Sequence, residues 1–274
     1  MAAIEEVSRA NDDPSGGTPS GAPGALFPHI RHLLARGTVL VAEIDGAVVD
    51  FSATVDTGRS IHLSDLFVLP GMLGRGIGGR LIGPLFGDRW PRTTFASDDP
   101  RAMNLYVGAG MRPMWPCFYL GGDSRRLPEQ PGLEVEAASV DEVAALETEW
   151  TGMDRSADHA AWGALAGSRP YVVRASGRAI AAGHSRARIR GPGRWLSRLV
   201  AHPDPALDLV APLVAALRYS SDDDGVTGAC IVGVHPGLPV LLGAGFRILD
   251  HDTVMTSDPA ILDLDRRVFE TGIP

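Results

Sequence analysis

A run of small residues at 73–79 could hold a phosphate group. The segment LGRGIGG lies between a predicted strand that ends near Leu69 and a predicted helix that begins at about Arg80. Glycines leave successive backbone N–H groups exposed at the first turn of that helix, where the helix dipole is positive. The turn therefore predicts a pyrophosphate site, although a plain strand-to-helix loop could have the same composition.

Two classes of ligand compete for this turn. The glycines satisfy the GxGxxG spacing over 74–79, and Asp98 or Asp99 follows about 20 residues later, as in a dinucleotide site. A dinucleotide-binding oxidoreductase would need the glycines to follow their strand directly, in a parallel sheet. Residues 70–73 intervene instead, and a hairpin precedes the strand. Coenzyme A is the other ligand that brings a pyrophosphate.

The flanking residues resemble the coenzyme-binding motifs of the GNAT acyltransferase superfamily. LFVLPGMLGRGIGGRLI at 66–82 is similar to the family order of strand, V-x-P, (Q/R)-x-x-G-x-(G/A) and helix, with Leu73 in place of Gln or Arg. DPRAMNLYVGAGM at 99–111 resembles the following family segment, N-x-x-A-x-x-L-Y-x-x-x-G-F, with Asp99 for Asn and Met111 for Phe. Two linked motifs in the right order are more specific than either motif alone.

The resemblance implies a site for acetyl-CoA as co-substrate. The residues it assigns to the coenzyme are Phe67, Val68, Leu73, Gly74, Arg75, Gly76, Ile77, Gly78, Gly79, Asp99, Ala102 and Tyr106. It also implies that a backbone N–H of Phe67 or Val68 polarises the thioester carbonyl. Tyr106 would protonate the leaving thiolate, and its alternative role is that of a half-buried helix aromatic.

The base for the acceptor amine is less defined by sequence. His62 and Ser64 share one face of their predicted strand and Asp65 lies on the other, unless a bulge shifts the alternation. We expect His62 to act as the base because its intrinsic pKa suits that role, and Asp65 to serve catalysis by binding a cationic acceptor. A solvent-facing edge histidine and a water relay are the alternatives.

Composition excludes several other functions. All 25 basic residues are Arg, which removes the phosphate lysine of P-loop proteins and Schiff-base lysines. The net charge of -8 argues against nucleic acid as a partner and mildly favours a cationic or neutral substrate. Cys117 and Cys230 suggest neither a disulfide framework nor a metal site, and structural thiols are favoured over an acyl-carrying Cys117. We therefore expect no metal.

The sequence predicts a soluble, cytoplasmic protein. No apolar run reaches the roughly 20 residues of a membrane helix, and residues 1–17 carry acids without the apolar core of a secretory signal. We expect a small-molecule amine as partner and no membrane contact, and both a monomer and a homodimer stay open.

The sequence contains an internal repeat, which predicts that the fold that positions these residues occurs twice. LSDLFVLP at 63–70 matches LSRLVAHP at 196–203, and GAGMRPM at 108–114 matches GAGFRIL at 243–249. Hairpins with Gly46 and Gly177 in their turns precede the first pair. The pattern predicts a mixed α/β chain of two GNAT-like domains, each a twisted, mostly antiparallel sheet flanked by helices.

The turn-rich segment at 121–132 predicts the boundary between the two copies. We expect a flexible segment at 1–24, an acyl-CoA-binding catalytic domain at 25–122 and a degenerate copy at 133–274. The second copy has Asp204 and Asp208 where the first has its glycines, and Leu241 where the first has Tyr106. The sequence thus predicts an N-acetyltransferase with one coenzyme site, and a catalytically silent coenzyme-binding or scaffold protein is the non-enzyme alternative.

Overall fold

A computed structural model of the chain describes Val7 and residues 27–188, 191–261 and 263–274. The chain divides into two compact units. The first comprises Met1–Met114, Asp252–Ile261 and Thr271–Pro274, and the second comprises Trp115–His251 and Leu262–Glu270. Segment 1–24, predicted to be flexible, lies outside the described residues apart from Val7, which is buried against Ile30 and Phe51.

Helices and strands are interspersed along the described chain. The elements of the first half are α1 (Phe27–Arg36), β1 (Gly37–Ile44), β2 (Ala47–Asp56), β3 (Ile61–Val68), α2 (Ile77–Phe86), β4 (Arg92–Ala96), α3 (Pro100–Gly108) and β5 (Arg112–Asp123). The elements of the second half are β6 (Leu133–Ala137), α4 (Val140–Thr151), α5 (Ser156–Gly163), β7 (Arg169–Ala175), β8 (Arg178–Ala187), β9 (Arg194–Ala201), α6 (Val210–Ser220), β10 (Val226–Val232), α7 (Leu238–Gly243), β11 (Arg247–Thr256) and β12 (Arg267–Val268).

The first unit is a sheet in the order β1, β2, β3, β4 and the C-terminal part of β11. All pairs are antiparallel except β3 with β4. One face of β2 packs against α1, with Ala53 and Val55 buried around Leu33. The opposite face is covered by α2 and α3, where Leu63 and Leu85 are fully buried. The sheet therefore separates α1 from α2 and α3.

The second unit is a sheet in the order β5, β10, β9, β8, β7, β6, with β12 added against β9. Its only parallel pair among the described strands is β9 with β10. Apolar residues of α6, including Leu213 and Leu217, pack with Leu196 and Leu199 of β9. The predicted mixed α/β fold, with mostly antiparallel sheets flanked by helices, is confirmed in both units.

Local details repeat between the units as the sequence match predicts. The hairpin β1–β2 turns at Asp45 and Gly46, with φ of 50° and 78°, and the hairpin β7–β8 turns at Ser176 and Gly177, with φ of 48° and 79°. Both residues of each turn are left-handed, the geometry that suits a two-residue hairpin and favours glycine.

The residue ranges of the two units differ from the predicted domain boundaries. Residues 115–122, assigned by sequence to the first domain, belong to the second unit, where β5 pairs with β10. Residues 252–261 and 271–274, assigned by sequence to the second domain, belong to the first unit, where β11 pairs with β4. Strand pairing between distant segments produces this difference, and no local sequence pattern records it.

Candidate active site

The parallel strands β3 and β4 separate partway along their length. They pair from Ile61 with Arg92 as far as Leu63 with Thr94, and no pairing follows. A bulge in β3 lies at this point, because Ala53 faces Asp65 while Thr54 faces Leu63, which leaves Ser64 without a cross-strand partner. The backbone of β3 beyond Ser64 thus borders a gap in the sheet, and an extended ligand could bind there with strand-like hydrogen bonds.

The hydrogen bond of Leu69, the residue after β3, shows which way the N–H groups of β3 point. Leu69 N–H donates to the Val49 carbonyl of β2 at 2.8 Å. Because N–H groups alternate in direction along a strand, the Phe67 N–H also faces β2, whereas the Val68 N–H faces the gap. Of the two amides that the sequence left open, the geometry favours Val68 as a donor to a ligand in the gap.

The predicted glycine turn forms the N-terminus of α2. Gly76 is the N-cap, in the left-handed conformation with φ of 72°, and no side chain caps the helix. Gly74 is also left-handed, with φ of 76°, and a Cβ at either glycine would have no atom within 4 Å. Leu73 and Arg75 are exposed. The first amides of α2, from Ile77 to Gly79, thus lie at the positive end of a helix without a side-chain cap, where they could donate to an anion.

Small residues also bring α2 close to its neighbours. A Cβ on Gly78 would lie 3.5 Å from Leu105 of α3 and 3.6 Å from Leu66 of β3. The turn is thus held beside both the gap-lining strand and the helix that carries Tyr106.

Tyr106 lies on the face of the sheet that α2 and α3 cover. Its side chain is 7% exposed and packs with Leu63 and other apolar residues. Within the described part of the chain its hydroxyl forms no hydrogen bond. Burial, together with the charges of Asp252, Asp99 and Asp65, raises the pKa of Tyr106 above the usual value for a phenol. The phenol is therefore protonated at neutral pH.

A cluster on the opposite face joins α1 to β3. His29 Nε2 lies 3.0 Å from Asp65 Oδ2, and the Ser64 hydroxyl donates to the same oxygen at 2.6 Å. Burial alone would raise the pKa of Asp65, but the charge and hydrogen bond of His29 and the hydrogen bond of Ser64 hold that pKa below its usual value. Asp65 is thus ionised and bound to His29. The sequence indicated Asp65 but gave no signal for His29, which is 36 residues away.

His62 occupies a structural position. Its ring is fully buried, with Nδ1 at 3.1 Å from Thr93 Oγ1 and Nε2 at 3.0 Å from the Thr271 carbonyl. Both ring nitrogens are used inside the protein, which leaves no nitrogen for an acceptor. The bulge at Ser64 also places His62 and Asp65 on the same face, beside α1, and not on opposite faces.

The remaining predicted residues have local roles. The Asp99 carboxylate caps α3 by accepting the Arg101 N–H at 2.8 Å and also pairs with the Arg101 guanidinium. Ala102 packs in the apolar cluster around Tyr106. Cys117 and Cys230 are buried and form no disulfide bond. Among the described residues no group of His, Cys, Asp or Glu could hold a metal ion, and no helix is long and apolar enough to span a membrane.

Known proteins resemble this chain in structure. No family model and no curated protein matches the sequence. A candidate acetyltransferase from Pyrococcus horikoshii is similar in structure, with a TM-score of 0.70 and 16% identity over 95% of this chain and 88% of that one. A tandem GNAT protein from the clavulanic acid biosynthesis pathway gives 0.56 and 19%, over 89% and 91%. A GCN5-related N-acetyltransferase from Sphaerobacter thermophilus gives 0.53 and 13%, over 93% and 89%.

The chain has the GNAT fold. The dinucleotide interpretation of the glycine turn required a parallel sheet around it. In the described residues the turn instead follows β3, whose pairing with β2 is antiparallel and whose pairing with β4 ends early. That alternative is therefore not supported by the fold.

The second GNAT-like unit has the same gap but fills it with its own chain. Strands β9 and β10 pair from Arg194 with Thr227 only as far as Leu196 with Ala229. Beyond that point β12 binds β9 by pairing Arg267 with Val200 and Val268 with Leu199. Leu199 and Val200 are the sequence equivalents of Leu66 and Phe67, and Val268 is fully buried. The position open to a ligand in the first unit is thus occupied in the second.

Proposed function

We propose that the first unit is an N-acyltransferase that moves an acyl group, most simply acetyl, from acyl-CoA to a small amine. The observation that carries this proposal is the gap between β3 and β4, bordered at one end by the uncapped N-terminus of α2. This arrangement offers backbone donors for a pyrophosphate and for a pantetheine arm within one unit. We infer the reaction type from the acetyltransferases whose structures are similar to this one.

Backbone groups would bind the donor. The amides of Ile77–Gly79 lie at the uncapped, positive end of α2, which suits the coenzyme pyrophosphate, and Arg75 adds a cation to the turn. The Val68 N–H would donate to the thioester oxygen and stabilise its negative charge as the amine attacks. These contacts need no particular side chain, so Leu73 in place of Gln or Arg does not remove them.

Tyr106 would supply the proton for the leaving thiolate. Its raised pKa keeps the proton on the phenol until the thiolate forms beside it. A thiol has a pKa near 8.5 in water, and burial raises the pKa of a thiol as it does that of a phenol. Because both groups lose solvation in the same place, proton transfer from Tyr106 to the thiolate remains feasible.

The acceptor is expected to be a small primary amine that is cationic in solution. The protein carries a net charge of -8. The carboxylates of Asp65 and Asp252 are close enough to Tyr106 for their charges to raise its pKa. A negative site lowers the cost of bringing in an ammonium group and raises its local concentration.

Turnover of acetyl-CoA against a panel of small amines tests the proposal. Thiol release, corrected for hydrolysis without amine, should depend on the amine, and mass spectrometry should show an acceptor heavier by one acetyl group. Binding of acetyl-CoA without any amine-dependent release would indicate the silent coenzyme-binding alternative. Failure to bind acetyl-CoA in calorimetry would contradict the proposal altogether.

A further inference from the structure

We propose that segment 271–273 forms one wall of the acceptor site and that Gly272 limits the size of the amine that reaches the thioester, an inference that rests on the acyltransferase function proposed above. The segment belongs to the first unit. Its contacts with β3 and α1 place it on the α1 face of the sheet, beside the point where β3 and β4 separate.

A hydrogen bond ties the segment to the paired end of β3 and β4. The Thr271 carbonyl accepts from Nε2 of the buried His62 ring at 3.0 Å, and Nδ1 of the same ring lies 3.1 Å from Thr93 Oγ1. His62 and Thr93 are paired across the two strands, one residue before the pairing ends at Leu63 and Thr94. The segment therefore begins directly beside the gap.

The segment also contacts α1. A Cβ on Gly272 would lie 2.7 Å from Cε1 of the His29 ring and 3.3 Å from its Nε2. The first distance is shorter than Cβ atoms adopt, so only glycine lets the backbone pass the ring this closely. The next residue, Ile273, is 3% exposed and anchors the segment. The segment therefore connects α1 to the paired end of the two strands.

This face of the gap is the one from which an amine would attack. Asp65 pairs with Ala53 of β2, whose side chain packs against α1, so the Asp65 carboxylate also lies on the α1 face. That side chain is 11% exposed, and its lowered pKa keeps it ionised. Tyr106, which would protonate the sulfur, packs with Leu63 on the other face. An amine opposite the sulfur would thus enter beside Asp65 and the segment.

Position 272 lies close to the carboxylate that would attract the ammonium group. His29 Nε2 is 3.0 Å from Asp65 Oδ2 and would be 3.3 Å from a Cβ on residue 272. A methyl group there must push the His29 ring or the segment aside, and both border the carboxylate. The backbone of Gly272 is outside the left-handed region, so alanine adds this methyl group without backbone strain.

Kinetics of Gly272→Ala test the wall. We expect kcat/KM for the amine to fall by about tenfold or more, because one carbon too many in a fitted site costs at least that much. The loss should be larger for benzylamine than for ethylamine, and the KM for acetyl-CoA should not change. Gly83→Ala in α2, where a Cβ would meet nothing within 4 Å, is the matched control and should behave as wild type.

Two kinetic outcomes would overturn the proposal. One is an unchanged kcat/KM for both amines in folded Gly272→Ala. The other is an equal loss for acetyl-CoA and amine, which a general disturbance of the fold would give, and melting temperature monitors that fold.

A double variant tests the contact between residue 272 and the ring. In His29→Ala the ring that the new methyl group would meet is absent, so adding Gly272→Ala should cost little more than His29→Ala alone. A full additional loss in the double variant would contradict the role of this contact.

Amine binding observed by nitrogen-15 NMR tests the wall without turnover. Protein with excess CoA is titrated with ethylammonium or benzylammonium chloride. The amide signals of Gly272 and Ile273 should shift, and the apparent Kd should be several-fold weaker in Gly272→Ala than in wild type or Gly83→Ala. Signals of segment 271–273 that do not move would overturn the proposal. Failure of the acyltransferase function would instead appear as amine binding at the segment without amine-dependent turnover in the wild-type protein.

Discussion

The Asp208 carboxylate accepts the N–H of Val210, the first residue of α6, at 2.9 Å. At the equivalent helix of the first unit, Gly76 has no side chain to cap α2. An amide that is already bonded to a carboxylate cannot also bind a phosphate, and the aspartate repels one. The first amide of α6 is thus already bonded to a carboxylate, whereas no side chain bonds the first amides of α2.

This difference predicts one acetyl-CoA site per chain. The second unit has an aspartate bonded to the first amide of α6, β12 in its gap and the buried Leu241 in place of Tyr106. Native mass spectrometry and calorimetry of the full chain should both give a stoichiometry of one. Two equivalent sites, or a second binding event that survives in Gly76→Val, would show that the second unit also binds the coenzyme.

Gly76 and Gly87 provide a matched test of the coenzyme site. They flank α2 at its two ends, both are left-handed, with φ of 72° and 53°, and a Cβ at either would meet nothing within 4 Å. Valine is strained at both positions, and more strongly at Gly87, whose ψ of -136° lies outside the left-handed helical region that Gly76 occupies. Only Gly76→Val should lower acetyl-CoA affinity, by tenfold or more, which is about 1.4 kcal/mol. Equal affinities in the two folded variants would remove the turn as the binding site.

Tyr106→Phe should lower kcat and leave the KM for acetyl-CoA nearly unchanged. The hydroxyl forms no bond to described residues, so its removal leaves the packing of the ring in place. General-acid catalysis contributes about 10²–10⁴-fold, and the loss should fall on the chemical step. Tyr219→Phe, in the second unit, is the control. A wild-type kcat under conditions where chemistry limits the rate would assign Tyr106 to packing alone.

Local patterns were sufficient for much of the fold. The Asp45–Gly46 turn, the glycines before α2 and the repeat of LSDLFVLP each depend on neighbouring residues, and each appears in the structure. The two units also share a feature that the sequence match does not predict. Ser64 and Ser197 are matching residues, and each is the residue that a bulge leaves without a cross-strand partner.

Contacts between residues that are far apart in the sequence could not be predicted. His29 meets Asp65 only because α1 packs against β2 and β3, and no spacing rule links residues so far apart. The exclusion of His62 depends on Thr271, which is 209 residues distant. Filling of the second gap by Arg267 and Val268 likewise comes from a two-residue strand that has no periodicity to detect.

A buried network in the second unit should make that unit sensitive to acid. Glu147 and Arg198 form an ion pair with no exposure to solvent, and His159 joins Glu147 to His184 through bonds of 3.0 and 2.9 Å. Burial and the nearby charge of His159 lower the pKa of His184 to about 3. Although burial alone would raise the pKa of Glu147, Arg198 and His159 hold it well below the usual value.

The sign of the effect follows from the folded and unfolded states. His184 stays neutral in the folded protein down to about pH 3, whereas an unfolded histidine titrates near pH 6.5. Its contribution to stability is therefore complete above pH 6.5 and is lost progressively as the pH falls toward 3. Between pH 7 and 5 the wild type should lose about 2 kcal/mol more than His184→Gln, a window in which Glu147 remains ionised in both states.

Urea unfolding followed at pH 7, 6 and 5 measures this difference. Asp50 in the first unit has a pKa raised to about 6 by burial, which acts in the opposite direction, but the term is common to both proteins and cancels. If His184→Gln loses as much stability as the wild type over this range, the buried histidine pair is not the source of the acid sensitivity.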